Sequence, residues 1–174
     1  VIEYLDTSDY FMSPASTKHH MSIEGGLAIH SYIVYKVLQD LVSNLSLDID
    51  NDSIAIVALL HDVCKIGCYE ANVLKNGTLS TSKPYNYIDK FPIGHGEKSV
   101  ILLQDMLKLT EQEMLAIRYH QGVYTFRDIS QWDLCRIFIE KTDYAKLVHL
   151  TIYADDIASK VIESDEAMVR KYIL

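Results

Sequence analysis

The sequence predicts a mostly helical protein carrying one small β-hairpin. Three observations support that expectation. Apolar residues recur at intervals of three and four through most of the chain. The ends of those stretches carry residues that start and stop helices. One stretch rich in turn formers, 67–92, interrupts the pattern. With 174 residues the chain suits a single domain, read here as 1–174. A chain of that size buries roughly 70% of its unfolded surface, so a full core needs no staples.

In chain order, residues 1–24 are mixed and loop-like around Ser13-Pro14. Gly25-Gly26 opens a helix to about Asn44, in which Leu27, Val34, Val37, Leu38, Leu41 and Leu45 share one face. Asn51-Asp52-Ser53 offers an N-cap for a helix from Ile54 to Ile66, with Gly67 as its C′ residue. Asn76-Gly77 is a hairpin-type turn, followed by a Ser/Thr/Lys/Pro run. Helical patterning returns from Gly96 to Leu109. Thr110-Glu111-Gln112-Glu113 matches a capping box for a helix through His120, closed by Gly122. A shorter helix is expected near Ser130 to Glu140, and a long one from Asp143 to Ser164.

Composition narrows the function. Hydrophobic residues at 49% and charged residues at 23% exclude a disordered chain. No apolar run reaches the roughly 18 residues of a membrane span. The first residues, Val-Ile-Glu-Tyr-Leu-Asp, lack the basic n-region of a signal peptide. A net charge of −8 without a basic cluster argues against long nucleic acid as a partner. A small anionic ligand held by metal ions stays open. Three cysteines without a framework spacing point to a reducing cytoplasm.

Several chemistry-bearing residues sit on apolar faces. His30 shares the stripe of Val34 and Val37, and His61 that of Ile54 and Val57. Asp62 ends a wall of apolar side chains, where an unpaired carboxylate is costly and calls for a cation. His120 follows Ala116 and Ile117 on the inward side, and Asp155 follows Val148 and Ile152. An adjacent His-Asp pair can give one metal two ligands, or let the carboxylate bridge two metals. Each position has a plainer account. A lone buried His is more often a satisfied core residue, the reading kept for His149, and Lys65 could pair with Asp62. One metal centre accounts for all of them together.

Gly25-Gly-Leu-Ala-Ile-His30, then Leu59-Leu-His61-Asp62-Val-Cys-Lys65-Ile-Gly67, then Ala154-Asp155 resembles the HD-domain superfamily of metal-dependent phosphohydrolases, from about Ser13 to Glu163. The resemblance implies a helical HD bundle in which His30, His61, Asp62 and Asp155 bind one metal. Members with a second metal add two histidines. His95, in Phe91-Pro-Ile-Gly-His-Gly-Glu-Lys-Ser99, and His120, in Arg118-Tyr-His-Gln-Gly122, stand where those are expected, with Asp62 bridging.

The implied cofactors are two divalent ions, among Mn, Fe, Co, Ni, Zn and Mg. The implied activity is hydrolysis of a phosphomonoester or phosphodiester, a nucleotide being favoured, by metal-activated hydroxide. Lys65, one turn beyond His61, would stabilise phosphate charge, and Lys18, His19 and His20 would line the mouth. Arg118 is expected to face elsewhere.

Pro14-Ala-Ser-x-x-His19-His20 is also similar to HD modules of bacterial 3′→5′ exoribonucleases, whose accompanying OB-fold is missing from this sequence. A nuclease module on short single strands, a di-iron oxygenase with the same ligand order and a non-catalytic nucleotide sensor are therefore the rival readings. Gly94-His-Gly-Glu-Lys-Ser99 lacks the spacing of a Walker loop. Cys64 and Cys68, one turn apart, read as a structural thiol pair.

Overall fold

A computed structural model of the chain describes residues 1–126 and 128–174. It is mostly helical with one small antiparallel sheet. The helices are α1 (Ile2–Thr7), α2 (Gly26–Asn44), α3 (Asn51–Leu60), α4 (His95–Gln104), α5 (Glu111–Tyr119), α6 (Ile129–Ile139), α7 (Ala145–Ile157) and α8 (Glu166–Ile173). Strands β1 (Tyr69–Ala71) and β2 (Tyr85–Tyr87) pair in antiparallel register, with Glu70 opposite Asn86. Among the described residues no helix is long and apolar enough to cross a membrane.

Helix α2 is the axis of the bundle, packed on α3 and α7, while α5 lies against α3, α4 and α7. The core joins Ile33, Val34, Val37 and Leu38 of α2 to Ile54, Val57 and Ala58 of α3. Leu103 of α4, Ala116 and Ile117 of α5, and Val148 and Ala154 of α7 complete it. Each fully buried Leu, Ile or Val contributes about 1.5–3 kcal/mol to folding. The Thr110 capping box forms as the sequence predicts, with Thr110 Oγ1 accepting from Glu113 N–H and the Glu113 carboxylate accepting from Thr110 N–H.

Five elements depart from the sequence expectation. Helix α3 starts earlier, because Asp50 is its cap, accepting from Ser53 N–H at 3.1 Å. It also stops at Leu60 instead of Ile66, giving way to a 3₁₀ turn at Val63–Lys65. Residues 61–65, which include this turn, are all buried. Helix α4 ends at Gln104, where the backbone turns under Leu103.

The long helix expected to Ser164 leaves α geometry after Ile157 and continues as a π turn over Ala158–Ile162. A separate helix α8, capped by Asp165, follows it and lies outside the sequence expectation. Residues 1–24, read as loop, include the short α1. The rest of that segment is anchored by Tyr10, whose hydroxyl donates to the Leu59 carbonyl at 2.8 Å.

Candidate metal centre

Helix α2 carries His30 inward among Ile33 and Val34, and its ring is fully buried. Helix α3 ends on His61, and the turn after it brings Asp62 to the same point. Helix α5 ends on His120, helix α4 starts on His95, and Asp155 lies in the last turn of α7. A Cβ on Gly96 would collide with the carbonyl oxygen of Arg118, so glycine there lets the start of α4 close against the end of α5. That contact brings His95 beside His120, with ring centroids 5.4 Å apart.

Six side chains from five segments, Asp62 among them, thus converge on one point. Asp62 Oδ1 lies 2.6 Å from His95 Nε2 and 3.6 Å from His120 Nε2. Its Oδ2 lies 3.4 Å from His61 Nε2 and 3.7 Å from His30 Nε2. Asp155 Oδ1 is 3.2 Å from His30 Nε2. The ligand atoms of His30, His61 and Asp62 fall within 4.8 Å of one another, as do those of Asp62, His95 and His120, and those of His61, His120 and Asp155.

The donor chemistry of this set fits a cation. His61 Nδ1–H donates to the Ala58 carbonyl at 2.8 Å and His120 Nδ1–H to the Ile117 carbonyl at 2.7 Å. A carbonyl only accepts, so both rings keep their proton on Nδ1 and turn the Nε2 lone pair into the cluster. His30 Nδ1 is likewise bound to Glu163 Oε1 at 2.7 Å, and its Nε2 faces His61 Nε2 at 3.3 Å. The Nε2 lone pairs of His61 and His120, set beside two buried carboxylates, are a donor set suited to a cation, in addition to the positive charge that Lys65 and His30 bring.

The ionisation of the groups has the same sense. Burial opposes charge on Asp62, but Lys65, His61 and His95 around it hold its carboxyl well below the usual range. Burial likewise works against charge on Asp155, and the hydrogen bond from His30 overrides it, again lowering the carboxyl. For His30, burial would lower the imidazole, yet the hydrogen bonds to Asp155 and Glu163 push it up to about 10. Metal binding at such a nitrogen displaces a proton, which links affinity to pH.

The ion pair that competes with the metal account is present: Lys65 Nζ is 2.6 Å from Asp62 Oδ2. That pair occupies one oxygen of Asp62, His95 takes the other and Asp155 is paired with His30, while the Nε2 atoms of His61 and His120 have no carboxylate of the described residues within 3.3 Å. Lys65 also lines a cavity of about 740 Å³ above the cluster, together with His19, His20, Asp62, His120 and Asp155. Lys18 does not line it. The turn at Ser16, whose hydroxyl donates to the His20 carbonyl and accepts from His19 N–H, carries the two histidines to the cavity and leaves Lys18 exposed.

Arg118 pairs with Glu97 and lies over the Tyr119 ring, away from the cavity. Cys64 and Cys68 are buried free thiols, with Cys68 Sγ donating to the Cys64 carbonyl. Cys64 Sγ is 3.5 Å from His95 Nδ1. His149 is not a core residue, being only half-buried beside Tyr153.

Sequence reasoning passed over Glu163, which binds His30 through one oxygen and His20 through the other, each at 2.7 Å. Its signal was a position two turns beyond Asp155. The π turn that rotates it inward, closed by Glu163 N–H donating to the Ala158 carbonyl, has no periodic signature.

Fold and site together define a helical protein with a buried His/Asp cluster able to hold metal ions at the floor of an open cavity. Comparisons with protein families, with curated proteins and with solved structures returned no match.

Proposed function

We propose that this chain is a member of the HD-domain superfamily and hydrolyses a phosphomonoester or phosphodiester, with a nucleotide as the favoured substrate. The observation that supports the reading is the convergence of imidazole lone pairs and two carboxylates beneath a cavity that also holds a lysine ammonium. His30, His61, Asp62 and Asp155 would hold one divalent ion, and Asp62, His95 and His120 a second, with Asp62 shared. Ions there would supply the charge that lowers the pKa of a water from about 15.7 towards 7 and neutralises phosphate oxygens.

The remaining work falls to the chain. Lys65, fixed on Asp62 Oδ2, places a positive charge at the cavity floor, where a phosphate oxygen would meet it. His20, held through Nδ1 by Glu163, lines the cavity, and its other ring nitrogen would serve as a hydrogen-bonding group for the substrate. Glu163 fixes the orientation of both His20 and His30, so one carboxylate ties the substrate side of the site to the metal side.

The test is metal quantification on purified protein, followed by a panel of nucleotides and phosphodiesters with Mn, Fe, Co, Ni, Zn and Mg in turn. Bound metal with hydrolysis of at least one ester is the expected result. Absence of hydrolysis with every ion, in protein shown to bind metal, overturns the reading, and oxygen uptake by the iron-loaded protein would replace it with an oxygenase.

A further inference from the structure

A second, smaller cavity of about 270 Å³ adjoins the first. Gln121, Tyr124 and Asp156 border both, so the two cavities are neighbours. Gln121 directly follows His120 and Asp156 directly follows Asp155, which fixes the second cavity to the same two backbone segments as the cluster. Its back wall is the buried Trp132.

The smaller cavity is rich in aromatic surface that the fold does not use. Tyr153 is 54% exposed and Tyr124 71% exposed. The Tyr153 ring stacks on His149, with centroids 6.4 Å apart and planes 27° from parallel, forming a flat platform. Tyr124 sits on the 3₁₀ turn Gly122–Thr125, and Lys160, which lines the larger cavity, stands 5.2 Å over its ring. Gly122 has φ +52°, and a Cβ there would press to 3.1 Å from Ile152 Cγ2. Glycine therefore lets the turn carrying Tyr124 settle on α7 next to Tyr153.

We propose that this smaller cavity is a ring-binding subsite: it takes the planar heteroaromatic base of a phosphate ester whose phosphate lies in the larger cavity, stacked on Tyr153 and flanked by Tyr124. The proposal rests on the phosphohydrolase reading for the position of the phosphate. The volume is below the roughly 300–1,000 Å³ that encloses a whole drug-sized ligand, so it suits one ring system. Gln121 at the border offers an amide to the edge of that ring, while Asp156 is paired with Lys160 at 2.5 Å. Arg136, which also lines the cavity, is engaged by Glu140 at 2.6 Å, so among the described lining residues no cation stands unpaired, which favours an uncharged ring over a second phosphate.

The probe is 2-aminopurine ribonucleoside 5′-phosphate, whose emission falls when its base stacks. It is titrated against the full chain after chelation and again with Ca²⁺. Saturable quenching is expected, displaced by AMP and not by ribose 5-phosphate at equal concentration. Stacking of one base on an aromatic side chain sets the scale, so Tyr153→Ala weakens binding about ten-fold and Tyr153→Phe restores it.

Tyr153 is more than half exposed, so its truncation leaves the fold intact, which circular dichroism checks. Quenching absent under both conditions, wild-type binding by Tyr153→Ala, or equal displacement by ribose 5-phosphate each overturns the subsite. Tyr153-dependent binding without hydrolysis of any ester supports the subsite and sinks the hydrolase reading. Hydrolysis with no preference for ring-bearing esters does the reverse.

Discussion

His30 and His95 approach the same carboxylate from opposite sides, His30 nearer Oδ2 and His95 against Oδ1, but they are held very differently. His30 sits in the second turn of the long helix α2, and its ring is clamped at Nδ1 by a buried glutamate. His61 beside it is fixed by a backbone carbonyl. His95 is the first residue of the shorter helix α4, follows Gly94 at φ +102°, and leaves 22% of its side chain exposed. Its Nδ1 faces only the soft thiol of Cys64. A ligand whose orientation is already fixed loses little freedom on binding, while a loose one must be ordered. His61 and His120 are anchored alike by backbone carbonyls, so the contrast between His30 and His95 alone predicts that the His30 side binds an ion more tightly than the His95 side.

The sharpest way to break that comparison is at the shared residue. Asp62→Asn is expected to abolish binding in both halves, measured as metal per chain after dialysis. It also strips Lys65 of its carboxylate partner, and loss of one member of a buried pair costs about 3–5 kcal/mol in denaturant unfolding. Asp62→Asn combined with Lys65→Met should recover most of that stability and none of the metal. Metal retained by Asp62→Asn would sink the shared-carboxylate arrangement.

Glu163→Gln comes next. Removing the charge that orients His30 should weaken metal affinity in the tight half about 10–100-fold, read by competition with a chelator. The loose half should be unaffected. Equal loss in both halves would mean that the two are coupled and not separate.

His95→Ala sharpens the comparison from the other side. One equivalent of metal is expected to be lost, the tight ion staying at wild-type affinity, with a stability change within about 1 kcal/mol because the ring is partly exposed. Unchanged stoichiometry would leave a single ion in the cluster.

The smallest effect serves as the control. Asp50→Ala removes the cap of α3 and costs about 1 kcal/mol, with no change in either metal affinity, because the cap and His61 stand at opposite ends of the helix. A metal defect in that variant would show that helix stability, and not ring orientation, sets affinity.

Much of this was legible in single residues and their spacing. The Thr110 capping box, the opening of α2 at Gly25-Gly26 and the turn at Asn76-Gly77, spanned by the Val73–Leu79 bridge, are local devices, decided by neighbours a few positions away. The candidate ligands were legible because a charged or imidazole group on an apolar stripe stands out against its own helix. His95 was visible only through resemblance, since it lies at the start of a helix and has no stripe to betray it.

Other features were decided by the folded chain alone. The 3₁₀ turn at Val63–Lys65, which brings Asp62 to the cluster, lies in a stretch that periodicity reads as more helix. Glu163 meets His30 across 133 positions through a π turn that shifts the helical phase by one residue. The choice of His19 and His20 over Lys18 depends on a hydroxyl two to four residues away closing one turn and not another. Sequence patterning determines which side of an element avoids water, because that is a property of the element itself. Which groups then face one another inside depends on how each element is rotated and where it breaks, and only the packing of the whole bundle settles that.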